Sequence, residues 1–336
     1  QSLFGGSLSI IGLDNFSRPG VETNEPLLRK LGVDFRRGDI SQSNEIESLP
    51  PVDWILDCAA NPSVLAGTTK GSSSRKLIDD NLIGTINLLE LCKKHQSGFV
   101  LISTSRVYSI SQLTNLSMHT SNDAFALDTT TKLPAGVSAQ GISESFSTTP
   151  PLSLYGASKL ASETLALEYG QCFGFPVWIN RCGVLAGAGQ FGRADQGIFS
   201  FWINSHLRRS PLRFIGFAGS GLQVRDCLHP NDLLPLLANQ MQALPFDTPS
   251  ICNLGGGPAN TMSLKQLTSW CDERFGFHDV KTTQETRPFD LPWVVMDSSQ
   301  AGETWNWVPK TPITEILEEI ARHAEANPNW LAISQG

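Results

Sequence analysis

Short apolar runs alternate with helical stretches along the first half of the chain, and this alternation limits the fold more than any other feature. The apolar runs cover residues 8–13, 33–37, 54–58 and 99–102, and apolar side chains recur at helical spacing over residues 75–95. Alternation of this kind is typical of βαβ units, in which right-handed helical crossovers join the strands of a parallel sheet. The sequence therefore predicts an α/β fold with a doubly wound parallel sheet.

The second half of the chain continues this pattern less regularly. Residues 109–152 are rich in Ser, Thr, Pro and Asn and carry few apolar anchors. A segment of this length without clear elements is usually functional or disordered, and it lies between two candidate catalytic motifs, so we expect it over the active site. Strands are predicted at 177–180, 250–254 and 293–296, and helices at 153–173, 197–208, 263–275 and 313–324.

Composition argues against several classes of protein. A chain of 336 residues can form one large domain or two. The net charge of −7 argues against a nucleic-acid or anionic-membrane binder, and no apolar stretch approaches the ~18 residues of a membrane span. Seven cysteines without CxxC spacing and six histidines without metal-ligand spacing predict reduced thiols, a cytoplasmic location and no metal site.

Tyr155 and Lys159 form the first candidate catalytic motif. Four residues apart in a predicted helix, they share one face. A free phenol titrates near ~10, and an adjacent ammonium favours the phenolate and lowers its pKa. The pair is suited to moving a proton on and off a sugar hydroxyl or another alcohol. On its own, the spacing is equally typical of a surface lysine beside a half-buried tyrosine.

The second candidate motif is Ser103-Thr104-Ser105-Arg106-Val107-Tyr108. It follows the apolar run at 99–102, so its first hydroxyls stand at the end of a predicted strand, where open α/β sheets bind their ligands. Two of the three tyrosines in the chain, Tyr108 and Tyr155, belong to the two motifs.

Asp14 ends the first predicted strand, where a carboxylate can accept hydrogen bonds from an adenosine ribose. That position favours NAD over NADP. The alternatives are that Asp14 is a turn or cap residue, and that Arg18 binds the 2′-phosphate of NADP.

Six motifs, in order and spacing, resemble the extended short-chain dehydrogenase/reductase family of NAD-dependent nucleotide-sugar epimerases and dehydratases. The resemblance covers nearly the whole chain and implies a Rossmann-type sheet, NAD and a nucleotide-sugar substrate. The motifs are Asp14-Asn15-Phe16-Ser17-Arg18, Gly38-Asp39-Ile40, Asn81-Leu82-Ile83-Gly84-Thr85, Ser103-Thr104 with Val107-Tyr108, Tyr155 with Lys159, and Gln223-x-Arg225-Asp226-x-x-His229-x-x-Asp232.

The resemblance also implies residue roles. Tyr155 is the expected acid and base, Lys159 its charge partner, and Thr104 the group that hydrogen-bonds the reacting sugar oxygen. The implied cofactor contacts are Asp14, Asn15, Ser17, Arg18, Asp39, Ile40, Ala59, Ala60, Asn81, Ser103, Tyr155, Lys159 and Arg181. The implied substrate contacts are Thr104, Arg106, Gln196, Arg225 and Arg287.

Arg225 and Arg287 resemble the pair that grips the sugar-nucleotide diphosphate in this family. Two guanidiniums suit that task because each can form two parallel hydrogen bonds to phosphate oxygens. The alternative for Arg225 is an ion pair with its neighbour Asp226.

Within the family, the chain most resembles the CDP-tyvelose (CDP-paratose 2-) epimerases. These would invert C2 of a CDP-3,6-dideoxyhexose by transient oxidation to a ketone. Dehydratases carry two acids where this chain has Ser105 and Arg106, so dehydration is disfavoured, and a UDP-sugar 4-epimerase is the alternative. Two departures are Ser109, where Gly is usual, and Arg106, where Lys is usual. The supporting features are the insert at 109–152, Gln190-Phe191 with Asp195-Gln196-Gly197, Arg287-Pro288-Phe289-Asp290 with Asp297, and Trp307-x-Pro309.

One family feature is missing from the sequence. Family members open with a strand and a Gly-x-x-Gly-x-x-Gly turn that approaches the cofactor pyrophosphate, and no such motif precedes Asp14. We expect that the first strand and this turn are absent from the sequence shown, with Gln1 to Phe4 as the tail of the first helix. The alternative is a family member without a working cofactor site, which acts by binding.

Domain organisation follows from the same resemblance. Residues 1–182 are expected to form the NAD-binding domain, with its sheet completed by about 224–254. Residues 183–223 and 255–336 are expected to form a smaller nucleotide-sugar-binding lobe. A homo-oligomer is expected through the helices at 75–95 and 153–173.

Overall fold

A computed structural model of the protein describes residue 4 and residues 8–68, 72–243 and 250–335. Its strands are β1 (Ile11–Asp14), β2 (Asp34–Arg37), β3 (Trp54–Asp57), β4 (Gly98–Thr104), β5 (Met118–Ser121), β6 (Ala124–Leu127), β7 (Val137–Ser138), β8 (Gly141–Ile142), β9 (Val177–Cys182), β10 (Val184–Leu185), β11 (Arg213–Phe214), β12 (Val224–Leu228), β13 (Ile251–Leu254), β14 (Thr261–Ser263), β15 (Lys281–Thr282) and β16 (Trp293–Val294). Its α-helices are α1 (Glu25–Lys30), α2 (Ser43–Glu47), α3 (Ser74–Ile78), α4 (Gly84–His95), α5 (Ile110–Thr114), α6 (Leu154–Phe173), α7 (Ile198–Leu207), α8 (Leu233–Gln242), α9 (Leu264–Phe275), α10 (Ser299–Trp305), α11 (Ile313–Ala326) and α12 (Trp330–Gln335).

A parallel sheet in the order β13-β9-β4-β3 forms the centre of the fold. Successive residues of β4 point to opposite faces, as the period of a strand requires. Phe99 and Leu101 pack with α4 and α6, whereas Val100 packs with α8 and α10. Helices therefore cover both faces, and the predicted doubly wound α/β fold is confirmed.

The strands β1 and β2 form a separate parallel pair, with Asp14 opposite Arg37. Among the described residues, no strand joins this pair to the edge of the central sheet at β3. Most of the predicted Gln1 to Phe4 helix tail, and Gly5 and Gly6, lie outside the described residues.

The helix predicted at 75–95 contains an interruption. A π-helical turn, Asp79–Ile83, separates α3 from α4. The side chain of Ser73 accepts a hydrogen bond from the Lys76 N–H and caps the start of α3. π-Turns inside helices are common at functional sites, and this one carries Asn81.

Helix α6 matches its prediction closely. The hydroxyl of Ser153 caps it by accepting a hydrogen bond from the Gly156 N–H at 3.1 Å, and Gly174 ends it with a left-handed φ of 78°. Tyr155, Lys159 and Glu163, at successive intervals of four residues, are all buried on its inner face. The face of α6 defined by this four-residue spacing therefore points inside the protein, not to its surface.

A second sheet lies in the carboxyl-terminal half of the chain. In it β12 pairs with β10, β14 and β16. Residues 224–254 were expected to complete the parallel sheet; of the two strands in that range, β13 lies there and β12 lies in this second sheet. The domain boundaries stay a prediction.

Residues 109–152 contain one short helix and two hairpins, which the composition did not predict. The Phe125 N–H donates to the Leu222 carbonyl, and the Ile142 N–H donates to the Val295 carbonyl. These contacts dock the insert on the second sheet. Its expected position over the active site stays a prediction.

No helix in the described ranges is long and apolar enough to cross a membrane. The same ranges contain no group of three or more His, Cys, Asp or Glu side chains arranged to hold a metal ion.

Candidate active site

Thr104, Tyr155 and Lys159 lie where the end of β4 meets the start of α6. Tyr155 is 8% exposed and Lys159 is 1% exposed. The phenol of Tyr155 lies close enough to the hydroxyl of Thr104 for that hydroxyl to influence its pKa, and the Thr104 hydroxyl accepts a hydrogen bond from the Arg106 N–H at 3.2 Å. The structure thus brings the two predicted catalytic motifs together at the carboxyl end of the sheet.

Two opposing influences act on the pKa of Tyr155. Burial raises it, because a phenolate loses its hydration inside the protein, whereas the hydroxyl of Thr104 and the charge of Arg106 lower it. The net shift is upward. The sequence predicted that Lys159 would lower the pKa of Tyr155. In the structure the pKa rises instead, because burial outweighs the effects of Thr104 and Arg106.

Lys159 is a buried ammonium without an ion-pair partner among the described residues. It lies near the thiols of Cys58 and Cys182, which follow β3 and end β9. Burial raises the pKa of Cys182 to about 12, so that thiol does not balance the charge. A buried charge is stable only when polar groups satisfy it, and ribose hydroxyls would satisfy this one. The residues at this edge of the sheet therefore fit a nicotinamide nucleotide.

The predicted adenosine contacts lie together at the carboxyl ends of β1 and β2. Oδ1 of Asp14 accepts from the Phe16 N–H at 2.7 Å, and Oδ1 of Asn15 accepts from the Ser17 N–H at 2.9 Å. The Asn15 amide donates to Oδ2 of Asp39 at 3.1 Å. These bonds orient two carboxylates on neighbouring strands, as a ribose and adenine site requires.

Ile40 follows directly and packs against α4. A Cβ atom on Gly84 would lie 2.4 Å from Cδ1 of Ile40, so this helix approaches the strand end only because Gly84 lacks a side chain. The Ile40 carbonyl accepts from the Asn87 amide at 2.8 Å.

Arg18 and Gln196 contact each other across the two halves of the chain. The Arg18 guanidinium donates to Oε1 of Gln196 and to the Phe191 carbonyl. Nearby, the Ser63 hydroxyl donates to Asp195 at 2.7 Å. The structure therefore places Arg18 against Phe191 and Gln196, and the predicted ligand contacts of Arg18 and Gln196 stay predictions.

The segment after β3 is held by buried polar groups. Oδ1 of Asp57 accepts from the Ala59 N–H at 3.0 Å, next to Ala60. Asn81 accepts from the Asn61 N–H at 2.7 Å and donates to the Ser158 hydroxyl at 3.1 Å. Asn81 was predicted to contact the cofactor, and its amide is already bonded to protein groups. Its position braces the loop on which Ala59 and Ala60 lie.

Ser103 and Arg181, also predicted cofactor contacts, belong to a buried network around Glu163 of α6. The Ser103 hydroxyl donates to Glu163, and Arg181 donates to both oxygens of Glu163. Arg181 also donates to the Tyr108 hydroxyl at 3.3 Å. Sequence reasoning missed Glu163, although it continues the four-residue spacing of Tyr155 and Lys159.

Arg106, Arg225 and Arg287 form a basic cluster beside Tyr155. Among the described residues, the single ion pair of these arginines joins Arg225 to Asp290 at 3.5 Å. Burial, together with the charges of the other two arginines, lowers the pKa of Arg106 to about 9. The cluster therefore favours an anionic ligand. Arg225 is paired with Asp290, not with the Asp226 considered from the sequence.

The fold and the site define a class of protein. It is a Rossmann-type α/β protein with a Thr–Tyr–Lys set at the carboxyl edge of the parallel sheet, next to a basic cluster. The chain belongs to the NAD dependent epimerase/dehydratase family, whose model matches residues 3–255. The predicted NAD cofactor is that of the family.

Individual relatives and solved structures agree with this assignment. CDP-paratose 2-epimerase of Salmonella typhi is 26% identical over 318 residues, which cover 93% of this chain and 91% of that protein. UDP-glucuronate 4-epimerase of Thermodesulfobacterium geofontis is 27% identical over 74% of this chain, and the match spans 66% of that protein. The structure of UDP-glucuronic acid 4-epimerase from Bacillus cereus, in complex with UDP-glucuronic acid and NAD, has a TM-score of 0.74 at 22% identity, covering 97% of this chain and 94% of that chain. The structural likeness confirms the fold.

Proposed function

We propose that the protein is an NAD-dependent nucleotide-sugar epimerase that inverts C2 of a CDP-3,6-dideoxyhexose, in the manner of CDP-paratose to CDP-tyvelose conversion. The observation that carries the proposal is the placement of the Thr104 hydroxyl near the buried phenol of Tyr155, one helical turn from the buried ammonium of Lys159. The similarity to a CDP-paratose 2-epimerase along 93% of the chain supports this choice of sugar.

Tyr155 and Thr104 have complementary roles in this proposal. As a phenolate, Tyr155 accepts the proton of the ring hydroxyl, and Thr104 orients the same oxygen through its hydroxyl. A bound NAD would supply the hydride acceptor for the sugar carbon and then the hydride donor for the other face of the ketone. Lys159 would bind the nicotinamide ribose, and Asp14 and Asp39 would hold the adenosine end.

The basic cluster would bind the nucleotide diphosphate. Arg225 and Arg287 are suited to phosphate oxygens, and Arg225 is held in place by the Leu291 carbonyl, to which it donates at 2.9 Å. Ser105 and Arg106 follow Thr104 and supply no carboxylate beside Tyr155. The absence of an acid at these two positions favours epimerisation over dehydration.

The first test uses protein purified without added cofactor. One portion is denatured and its supernatant assayed for NAD; a second is incubated with CDP-paratose, and a third with UDP-glucose. We expect denaturation to release NAD, because the cofactor ends each cycle unchanged and need not dissociate between turnovers. We also expect inversion at C2 of the CDP sugar.

The other outcomes distinguish the alternatives. Inversion at C4 of UDP-glucose would indicate a UDP-sugar 4-epimerase, an activity named for a relative that is 27% identical. No released NAD, and no turnover of either sugar when NAD is supplied, would contradict both and indicate a family member that acts by binding.

We also propose a homo-oligomer formed through α4 and α6, and a cytoplasmic location. The packed pair α4 and α6 exposes Phe173, with Lys93 lying over its ring at 4.7 Å. Sedimentation equilibrium of the purified protein tests the oligomer, and a strictly monomeric protein would contradict it.

A further inference from the structure

Arg18, in the loop after β1, is engaged by protein groups. Its two terminal nitrogens donate to Oε1 of Gln196 and to the Phe191 carbonyl, and its Nε is buried without a hydrogen-bond partner among the described residues. The sequence left open that Arg18 binds the 2′-phosphate of NADP. In the structure the guanidinium instead ties this loop to the segment of residues 190–197, which follows β10.

Internal hydrogen bonds fix the 190–197 segment. The backbones of Arg193 and Gln196 exchange two hydrogen bonds, at 2.7 and 3.1 Å, across a tight turn. The Gln190 amide donates to the Leu185 carbonyl of β10 at 2.8 Å. Gln196 therefore presents its side chain from a turn whose backbone is already held.

Helix α12 packs on the same segment. The ring of Trp330 stacks on Phe191, with centroids 4.7 Å apart and 18° between the ring planes, and its indole N–H donates to the Gln190 carbonyl at 3.0 Å. The loop after β1 also reaches this phenyl ring, because a Cβ atom on Gly20 would lie only 2.6 Å from Phe191. Phe191 thus contacts both α12 and the loop that carries Arg18.

The same segment also contacts the loop after β3. The Ser63 hydroxyl donates to Oδ2 of Asp195 at 2.7 Å. Asp14 precedes one of the two contacted loops, and Ala59 and Ala60 lie in the other. These three residues are among the expected cofactor contacts. One segment therefore joins the two loops between which the cofactor is proposed to bind.

We propose that Arg18 is a positioning residue for the cofactor, and that it acts through Gln196 by fastening the loop after β1 to the 190–197 segment. The inference rests on the proposed function, in which Asp14 holds the adenosine end of NAD. Without Arg18, the loop must be ordered each time the cofactor binds, and that ordering lowers the affinity. Because Arg18 contacts protein groups, it is assigned no part in the choice between NAD and NADP.

The test is a double-mutant cycle of Arg18→Met, Gln196→Met and the variant that carries both substitutions. Methionine keeps an unbranched side chain and removes the guanidinium of arginine or the amide of glutamine. Arg213→Met is the matched control, because Arg213 is half exposed and pairs with Glu285 at 3.2 Å on the surface.

The first readout is the rate at which protein-bound NAD exchanges with labelled NAD in solution, which needs no sugar. We expect each single variant to release NAD about tenfold faster, which corresponds to the cost of ordering one or two side chains. The double variant should be no faster than the single variants, since both substitutions break the same contact. Arg213→Met should release NAD at the wild-type rate.

Three results of this experiment would overturn the inference. Faster release in Arg18→Met but not in Gln196→Met, or a loss of NADP binding alone, would mean that Arg18 contacts the cofactor itself. Effects that multiply in the double variant would mean that the two residues act independently. Unchanged release with a lower free energy of unfolding would leave Arg18 a structural role only.

The second readout needs no cofactor. The N–H groups of Phe16 and Ser17 form hydrogen bonds of 2.7 and 2.9 Å to side chains within the same loop, so their hydrogen exchange reports on its order. We expect faster exchange of these two amides in both single variants than in the control. Equal exchange rates would overturn the fastening itself. A wild-type protein that holds no NAD would instead contradict the proposed function, and with it the cofactor role of Arg18.

Discussion

Tyr155 is the residue on which the proposed chemistry depends, and its surroundings both oppose and support ionisation. Its burial excludes water from the reacting hydroxyl but raises the pKa of the phenol. Thr104 and Arg106 act in the other direction. A substrate hydroxyl that reaches the phenol would therefore meet a base whose pKa is set by its burial and by these two nearby side chains.

Replacing Tyr155 with phenylalanine tests this dependence. The substitution removes the proton acceptor and keeps the ring, so we expect kcat for epimerisation to fall by about 100-fold or more while the protein still binds NAD. The measurement is steady-state turnover of the nucleotide sugar together with the NAD content of the purified protein.

Tyr169→Phe is the matched control for that substitution. Tyr169 lies on the same helix, but its hydroxyl donates to Glu90 at 2.7 Å on the surface, and this bond raises the pKa of the phenol to about 12. Wild-type turnover is expected. Equal losses in both variants would contradict the assignment of Tyr155.

At the scale of elements, α6 is attached to the sheet by a buried ion pair, eight residues along the helix from Tyr155. Glu163 on α6 contacts Arg181 on β9 at 2.6 Å, and both side chains are almost fully buried. Burial lowers the pKa of Arg181, but the contacts of its guanidinium with Glu163 outweigh that effect, and the pKa is raised. The pair sets the position of α6, and hence of Tyr155, relative to the end of β4.

Glu163→Gln tests the strength of this attachment. The substitution leaves the Arg181 guanidinium buried without a negative partner, so we expect the free energy of unfolding to fall by about 3 kcal/mol. Urea unfolding of the purified protein measures it.

Glu285→Gln serves as the comparison for the buried pair. Its partner Arg213 lies at 3.2 Å, and both side chains are about half exposed. A loss below about 1 kcal/mol is expected there. Similar losses at the two sites would show that burial does not strengthen the Glu163–Arg181 pair.

At the scale of the whole molecule, Asp226 connects the two sheets. It lies in β12 of the second sheet and accepts from the Met296 N–H at 3.1 Å. A Cβ on Gly255, just after β13 of the parallel sheet, would come within 2.0 Å of its Oδ2. The Asp226 carboxyl is fully enclosed where the two sheets meet, and burial raises its pKa to about 7.

The raised pKa predicts how stability changes with pH. Between the ordinary value of 3.8 and about 7, the folded protein holds a proton on Asp226 that the unfolded chain releases. The contribution of this group to the free energy of unfolding therefore falls as pH rises through that window and is constant above it. Asp226→Asn removes the titration, so the difference in unfolding free energy between wild type and variant should decline by up to about 4 kcal/mol from pH 4 to pH 8. Parallel stability curves, measured by urea unfolding at each pH, would contradict the assignment.

The sequence by itself determined the local structure and the identity of the candidate residues. Alternating apolar runs predicted β1 to β4 and β9, and the spacing of Tyr155 and Lys159 predicted one face of α6. These features succeed because strand and helix periodicity, caps and turns depend on neighbouring residues. The insert at 109–152 was different, because its hairpins are held by the second sheet and not by a pattern of its own.

Only the tertiary structure decided which side chains meet. The contact of Arg18 with Gln196 joins residues 178 positions apart, and the buried pair of Glu163 with Arg181 joins a helix to a strand. Spacing along the chain carries no information about such contacts. The balance of burial and charge at Tyr155 is of the same kind, because desolvation and electrostatic fields depend on everything packed around a group. The sequence therefore identified the candidate reacting residues, and the packing of the two sheets and α6 determined their electrostatic surroundings.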